Sequence, residues 1–383
     1  MIRALETLAL TVLLTGPVVV GAQTPAQTPA TPATAPQGAT AAAAGARPRR
    51  QVEMDPERAR ALYVSHKVED LPTCNCERDL AAQKQIDETY ATRSQGVMDY
   101  RKIHYVSPID GLDIQAHLFA PLQKKGARGH AAMVWVHGGV HGSWGTNMFP
   151  FVREAVQKGY VIIAPDYRGS TGYGEAFYKK IDYGGKEIDD VVAAYDYLKT
   201  LDVVDPQRVG IMGWSHGGFI TSHILFRDQH PFASGAAIVP VTNLVFRLSY
   251  KGPSYQRDYA PEEGILGLPF EKRDEYIKRS PVFHAANLKV PMLCHVATND
   301  LDVNFVEDQQ MIYTLMALKP TLAETKIYVD PVPGPASGGH TFTRRVNPQT
   351  LERDDSPDQI DSWNRTWAFF ERTLHPNSGG ASR

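Results

Sequence analysis

From Asp99 onward, short apolar runs alternate with longer stretches in which apolar positions recur at helical spacing. The short runs predict eight strands, near Arg101 to Val106, Ile114 to Phe119, Ala132 to His137, Val161 to Pro165, Val209 to Gly213, Ala236 to Val239, Met292 to Ala297 and Thr325 to Val329. Helices are predicted between and after them, over Asn147 to Lys158, Lys186 to Thr200, Gly217 to Phe226, Asn304 to Leu318 and Asp358 to Leu374. Such alternation is the signature of an α/β protein, a mostly parallel sheet with helices on both faces. Upstream, Pro56 to Val68 and Glu77 to Thr92 are helix-like with thin apolar stripes, separated at Leu71-Pro72-Thr73. They suit a helical extension over residues 51–98, lying on a larger body of residues 99–376.

Composition adds boundaries. The chain has 383 residues, 43% of them hydrophobic, enough for one large core. Met1-Ile2-Arg3 followed by a mostly apolar run to Val20-Gly21-Ala22 reads as a cleaved signal peptide over residues 1–22, and predicts a secreted or periplasmic protein. Glu6 and Pro17 weaken the run as a membrane span and no cysteine follows that site to carry a bacterial lipid, so no membrane anchor is expected. Residues 23–50 are rich in Ala, Pro, Thr and Gln and read as a disordered linker, and residues 377–383 as a disordered tail. A formal net charge of -2 supplies no basic surplus for a phosphate backbone, which argues against a nucleic-acid partner. Of three cysteines, Cys294 lies in an apolar run and reads as a buried thiol. Cys74 and Cys76 stand too close for an easy disulfide and lack the further ligands of a zinc site.

The chemistry concentrates at Gly213-Trp214-Ser215-His216-Gly217-Gly218, a serine between glycines where a strand gives way to a helix. Small neighbours permit a sharp turn that lifts the hydroxyl out of the sheet, the nucleophile elbow of an α/β-hydrolase. A serine hydroxyl needs a base, and the base needs a carboxylate that fixes its tautomer. In chain order, Asp300 follows the strand Met292 to Ala297 and His340 follows the last strand, within Gly338-Gly339-His340. Asp302 is the alternative acid, because a one-residue shift in a turn re-aims a side chain. His137-Gly138-Gly139 follows the third strand, and the backbone amides of Gly139 and His216 are the candidate oxyanion donors.

These residues resemble the catalytic domain of the prolyl oligopeptidase family of serine peptidases. Gly213-Trp214-Ser215-His216-Gly217-Gly218 is one residue from that family's Gly-Trp-Ser-Tyr-Gly-Gly, and Arg168-Gly169-Ser170-Thr171-Gly172-Tyr173-Gly174 is similar to its Arg-Gly-Ser-x-Gly-Tyr-Gly loop. The resemblance spans Asp99 to Leu374 and implies an eight-stranded α/β-hydrolase with Ser215, Asp300 and His340 as its triad. It implies cleavage of short peptides or amides through an acyl-enzyme. The sequence departs from the family in the longer approach to Asp300, in the long Pro/Gly-rich loop before His340, and in His137 where dipeptidyl peptidases place an oxyanion-donating Tyr. No internal repeat that could build a β-propeller is visible, which leaves a carboxylesterase acting on small acyl esters as the alternative and a non-catalytic binding protein as a remote one.

Around this site, Asp166 and Arg168 read as a buried ion pair fixing their loop, and Asp189 and Asp190 as helix-opening carboxylates. Aromatics of the segment Pro240 to Pro281 suit a substrate pocket, with Phe246 and Tyr250 beside Trp214 as its candidate lining. The histidines show no zinc spacing, so neither a metal nor a cofactor is expected, and the expected partner is a small-molecule or short-peptide substrate. Nothing in the sequence speaks to oligomeric state.

Overall fold

The computed structural model describes residues 72–375 except 125–128, 252, 263 and 333–337. The expected signal peptide, linker, helix at Pro56 to Val68 and C-terminal tail lie outside the described residues. An eight-stranded sheet organises the rest, in the order β1-β2-β4-β3-β5-β6-β7-β8. The strands are β1 (Asp99–Val106), β2 (Asp113–Ala120), β3 (His130–Val136), β4 (Val161–Asp166), β5 (Val204–Trp214), β6 (Ser234–Ile238), β7 (Met292–Ala297) and β8 (Ala323–Tyr328). β2 runs antiparallel to β1 and β4, and all other pairings are parallel. This is the α/β-hydrolase fold.

Alternation along each strand splits the core in two. In β3, Ala132, Val134 and Val136 join one apolar cluster, while Ala131, Met133 and Trp135 join the other. Both sides are buried, which is why β3 reads as a continuous apolar run. The first cluster is covered by the helices Lys186–Leu198 and His216–Leu225, the second by Phe149–Gln157 and Pro357–Leu374. The helix His216–Leu225 is buried all round, as a helix behind a nucleophile at the centre of a sheet must be. Ser356 caps the last helix by accepting from the Gln359 amide at 3.2 Å, with Pro357 in its first turn.

Three features depart from the sequence reading. β5 begins at Val204, five residues earlier than expected, because the polar stretch Asp205 to Arg208 satisfies itself: Asp205 accepts from Gln207 N at 3.1 Å and pairs with Arg208 at 2.9 Å. Cys74 and Cys76 are joined as a disulfide. The turn into the helix Cys76–Arg93 brings their Cα atoms to 4.9 Å, inside the range a disulfide spans, so their nearness in sequence is no obstacle. The segment between β6 and β7 folds into short helices, Leu244–Lys251, Pro253–Tyr259 and Arg273–Lys278.

The helix Cys76–Arg93 lies on the body through Tyr90, which is fully buried and donates its hydroxyl to the Gly145 carbonyl at 2.8 Å. Among the described residues no helix is long and apolar enough to cross a membrane.

Candidate active site

Four loops converge at the carboxyl ends of β3, β5, β7 and β8, the edge where such sheets place their chemistry. Ser215, directly after β5, sits at φ 56°, ψ −119°, a conformation a non-glycine residue rarely holds. The chain can make this turn because Gly213 and Gly217 face each other across it. A Cβ on Gly217 would run into the Val136 carbonyl oxygen, and one on Gly213 into the Gly217 backbone. The Ser215 amide donates to Ile238 O at 3.0 Å, and Phe219 N closes the first helical turn onto Ser215 O at 2.9 Å.

Asp300 and His340 come from separate loops that are stitched together. Asp300 bridges to Gly338, and Gly339 N donates to Asn299 O at 3.0 Å. Gly338 has φ +57° and lies against the Asn299 carbonyl, so the glycine two residues before His340 is what lets the two loops meet. Asp300 Oδ1 accepts from the amides of Asp302 and Val303, each at 2.8 Å, which leaves Oδ2 facing His340 Nδ1 at 2.7 Å. His340 Nε2 lies 3.4 Å from Asp302 Oδ2. Among the described residues no hydrogen bond joins His340 to the Ser215 hydroxyl.

Asp302 is the outer member of a charged network. It pairs with Lys251 and lies 3.8 Å from Arg247, which lies 3.7 Å from Glu307. Burial would push the Asp302 carboxyl up, but His340, Arg247 and Lys251 override it and hold it below the ordinary value. Tyr250 belongs to the same network: its hydroxyl meets Glu307 Oε2 at 2.5 Å, Arg247 Nη1 at 2.9 Å and Asn304 N at 3.1 Å. The Tyr250 hydroxyl is therefore committed to bracing the loop behind Asp302, and Phe246 packs on its ring at 5.6 Å between centroids. Trp214 is buried in the second core cluster, stacked on Trp135 at 5.4 Å with its indole N–H on Thr343 Oγ1 at 2.6 Å. Its outer edge lines a cavity of about 150 Å³.

The loop after β3 is held from below. Tyr167 donates its hydroxyl to Gly139 O at 2.8 Å, and Asp166 accepts from the Trp144 amide at 2.8 Å. Burial alone would raise Asp166, yet His117 and Lys102 hold its carboxyl low, so it remains a charged anchor for that amide. The His137 ring stacks on Tyr167 at 4.2 Å and meets Ser170 Oγ at 2.9 Å, a supporting position. Among the described residues the amides of Gly139 and His216 have no hydrogen-bond acceptor. The His216 side chain is buried among Tyr167, Tyr183 and Phe219, and burial drives it well below the usual histidine value.

Asp166 does not pair with Arg168. The Arg168 guanidinium pairs with Asp190 at 2.7 Å and with Asp110 at 3.0 Å. Asp190, read from the sequence as a helix-opening carboxylate, faces inward from the helix Lys186–Leu198 and is also the buried counter-ion of Arg168. Sequence reasoning also missed Arg247, Glu307 and Glu187, whose only local sign was a charge at an apolar-face position. Among the described residues no group of three His, Cys, Asp or Glu side chains could hold a metal ion.

Fold and site geometry together define an α/β-hydrolase. Residues 146–331 match the prolyl oligopeptidase family. The chain is 30% identical over 257 residues to the uncharacterized peptidase YuxL of Bacillus subtilis (strain 168), covering 66% of this chain and 37% of that protein. It is 27% identical over 218 residues to the acylamino-acid-releasing enzyme of Mus musculus, covering 54% and 29%. The acylaminoacyl peptidase of Pyrococcus horikoshii superposes with a TM-score of 0.60 at 22% identity, over 76% of this chain and 45% of that one. These similarities place residues 146–331 in the prolyl oligopeptidase family, and the chain spans about a third of the length of the curated relatives it matches.

Proposed function

We propose that the chain is a serine hydrolase that cleaves short peptides or amides through an acyl-enzyme. The observation that carries this reading is the strained serine elbow set at the same sheet edge as a histidine whose Nδ1 is bonded to a buried carboxylate at 2.7 Å. Ser215 Oγ attacks the substrate carbonyl carbon while His340 Nε2 takes the hydroxyl proton. Asp300 holds the His340 tautomer and faces the transient imidazolium, and the Gly139 and His216 amides receive the developing oxyanion. The C–N bond then breaks as His340 returns the proton to the leaving amine. Water repeats the sequence on the ester, giving the acid and restoring Ser215.

The names of the relatives support acylated or amino-terminal short peptides as the substrate class. Export is part of the proposal, supported by the apolar run ending at Ala22 and by the Cys74–Cys76 disulfide, a bond that persists in oxidising compartments. A fluorophosphonate probe is expected to label the protein and to leave Ser215→Ala unlabelled. Aminoacyl and acyl-aminoacyl p-nitroanilides are expected to be turned over alongside short p-nitrophenyl esters. Labelling that survives Ser215→Ala refutes the nucleophile, and turnover confined to esters refutes the peptidase reading.

A further inference from the structure

Beside the serine elbow is a cavity of about 150 Å³ whose wall includes Trp135, His137, Gly138, Ser143, Trp214 and Arg344. It adjoins the nucleophile, since a Cβ on Gly138 would stand 3.2 Å from Ser215 Cβ. Trp214 on its wall precedes Ser215 in the chain, and Arg344 comes four residues after His340.

Arg344 is anomalous there. Every other arginine discussed so far has a carboxylate partner, but among the described residues none lies within ion-pair distance of Arg344 and none accepts from its buried Nε. The buried indole N–H groups of Trp135 and Trp144, residues of the same wall, also lack acceptors. An unpaired buried donor costs about 1–3 kcal/mol, and more when charged, so three at one small cavity point to an acceptor supplied from outside. Burial pulls the Arg344 guanidinium down to about 10, with Asp300 and Asp302 opposing, and it stays protonated at neutral pH. A planar cation with no acceptor of its own matches a carboxylate.

We propose that Arg344 binds a carboxylate on the leaving portion of the substrate, such as the free C-terminus of a peptide that extends only briefly past the scissile bond. The inference rests on the hydrolase reading above and deepens it. The segment carrying Arg344 follows His340 directly, and His340 must lie beside the leaving amine to protonate it. The cavity has room for one small residue, so carboxylate capture here selects short substrates.

The test compares one N-acylated short peptide as the free acid and as its C-terminal amide, with wild type, Arg344→Gln and Arg344→Lys, by product release. Wild type is expected to prefer the acid by roughly tenfold or more in kcat/KM. Arg344→Gln should bring the acid-to-amide ratio close to one, mainly through KM, and Arg344→Lys should restore part of it. Fluorophosphonate labelling of Ser215 and thermal melts report on folding of each variant. A wild-type ratio near one, or a ratio that Arg344→Gln leaves unaltered, overturns the proposal. Absence of both turnover and Ser215 labelling in wild type instead refutes the hydrolase reading, and the inference with it.

Discussion

The pair Asp300→Asn and Asp302→Asn separates two carboxylates that both face His340. In Asp300→Asn the amides of Asp302 and Val303, each 2.8 Å from Oδ1, keep the carboxamide oxygen on their side. The new NH2 then occupies the Oδ2 position, 2.7 Å from His340 Nδ1. A donor facing Nδ1 forces the proton onto Nε2, and a histidine in that tautomer cannot accept the Ser215 proton. Loss of tautomer control costs about 10³–10⁴-fold in kcat, or about 4–5 kcal/mol of transition-state stabilisation. Because the two amide bonds survive, the variant should melt close to wild type. Asp302 lies 3.4 Å from Nε2 and one third of its side chain is exposed, so Asp302→Asn removes a screened charge and should cost less than about tenfold. Steady-state turnover of an activated ester, with thermal melts in parallel, measures both. A larger loss in Asp302→Asn, or an Asp300→Asn enzyme within tenfold of wild type, refutes the assignment.

Arg168→Met leaves Asp190 buried without its counter-ion, and should lower unfolding free energy by about 3–5 kcal/mol in denaturant titrations, with partial recovery on adding Asp190→Asn. Glu187 is raised to about 8 by burial first and by Asp182 second, so between pH 4.5 and about 8 the folded state holds a proton that the unfolded state has released. Its contribution to stability is therefore complete below pH 4.5 and declines by about 1.4 kcal/mol per unit as pH rises through that window. Glu187→Gln should flatten the pH dependence of the melting temperature there, and an unchanged slope would contradict the burial argument.

Much of this fold was legible in the sequence because its signals are local. Continuous apolar runs such as Ala131 to Val136 follow from strands covered on both faces, and the elbow announces itself through glycines that no side chain could replace. The order of Ser215, Asp300 and His340 is likewise a property of the chain. What the sequence could not specify was which charge meets which. Arg168 passes over Asp166, two residues away, to reach Asp190 and Asp110, because strand β4 and the helix Lys186–Leu198 are brought together only by packing. Trp214 offered itself as a pocket residue, yet the ring stack with Trp135 draws most of it into the core. Cys74 and Cys76 looked too near to pair until the helix start set their separation. Arg344 carried no motif at all, and only the cavity wall shows it to be a cation without a partner. Backbone periodicity and tight turns are written in neighbouring residues, whereas hydrogen-bond and ion-pair partners are chosen by three-dimensional proximity within a low-dielectric interior, which tertiary structure alone decides.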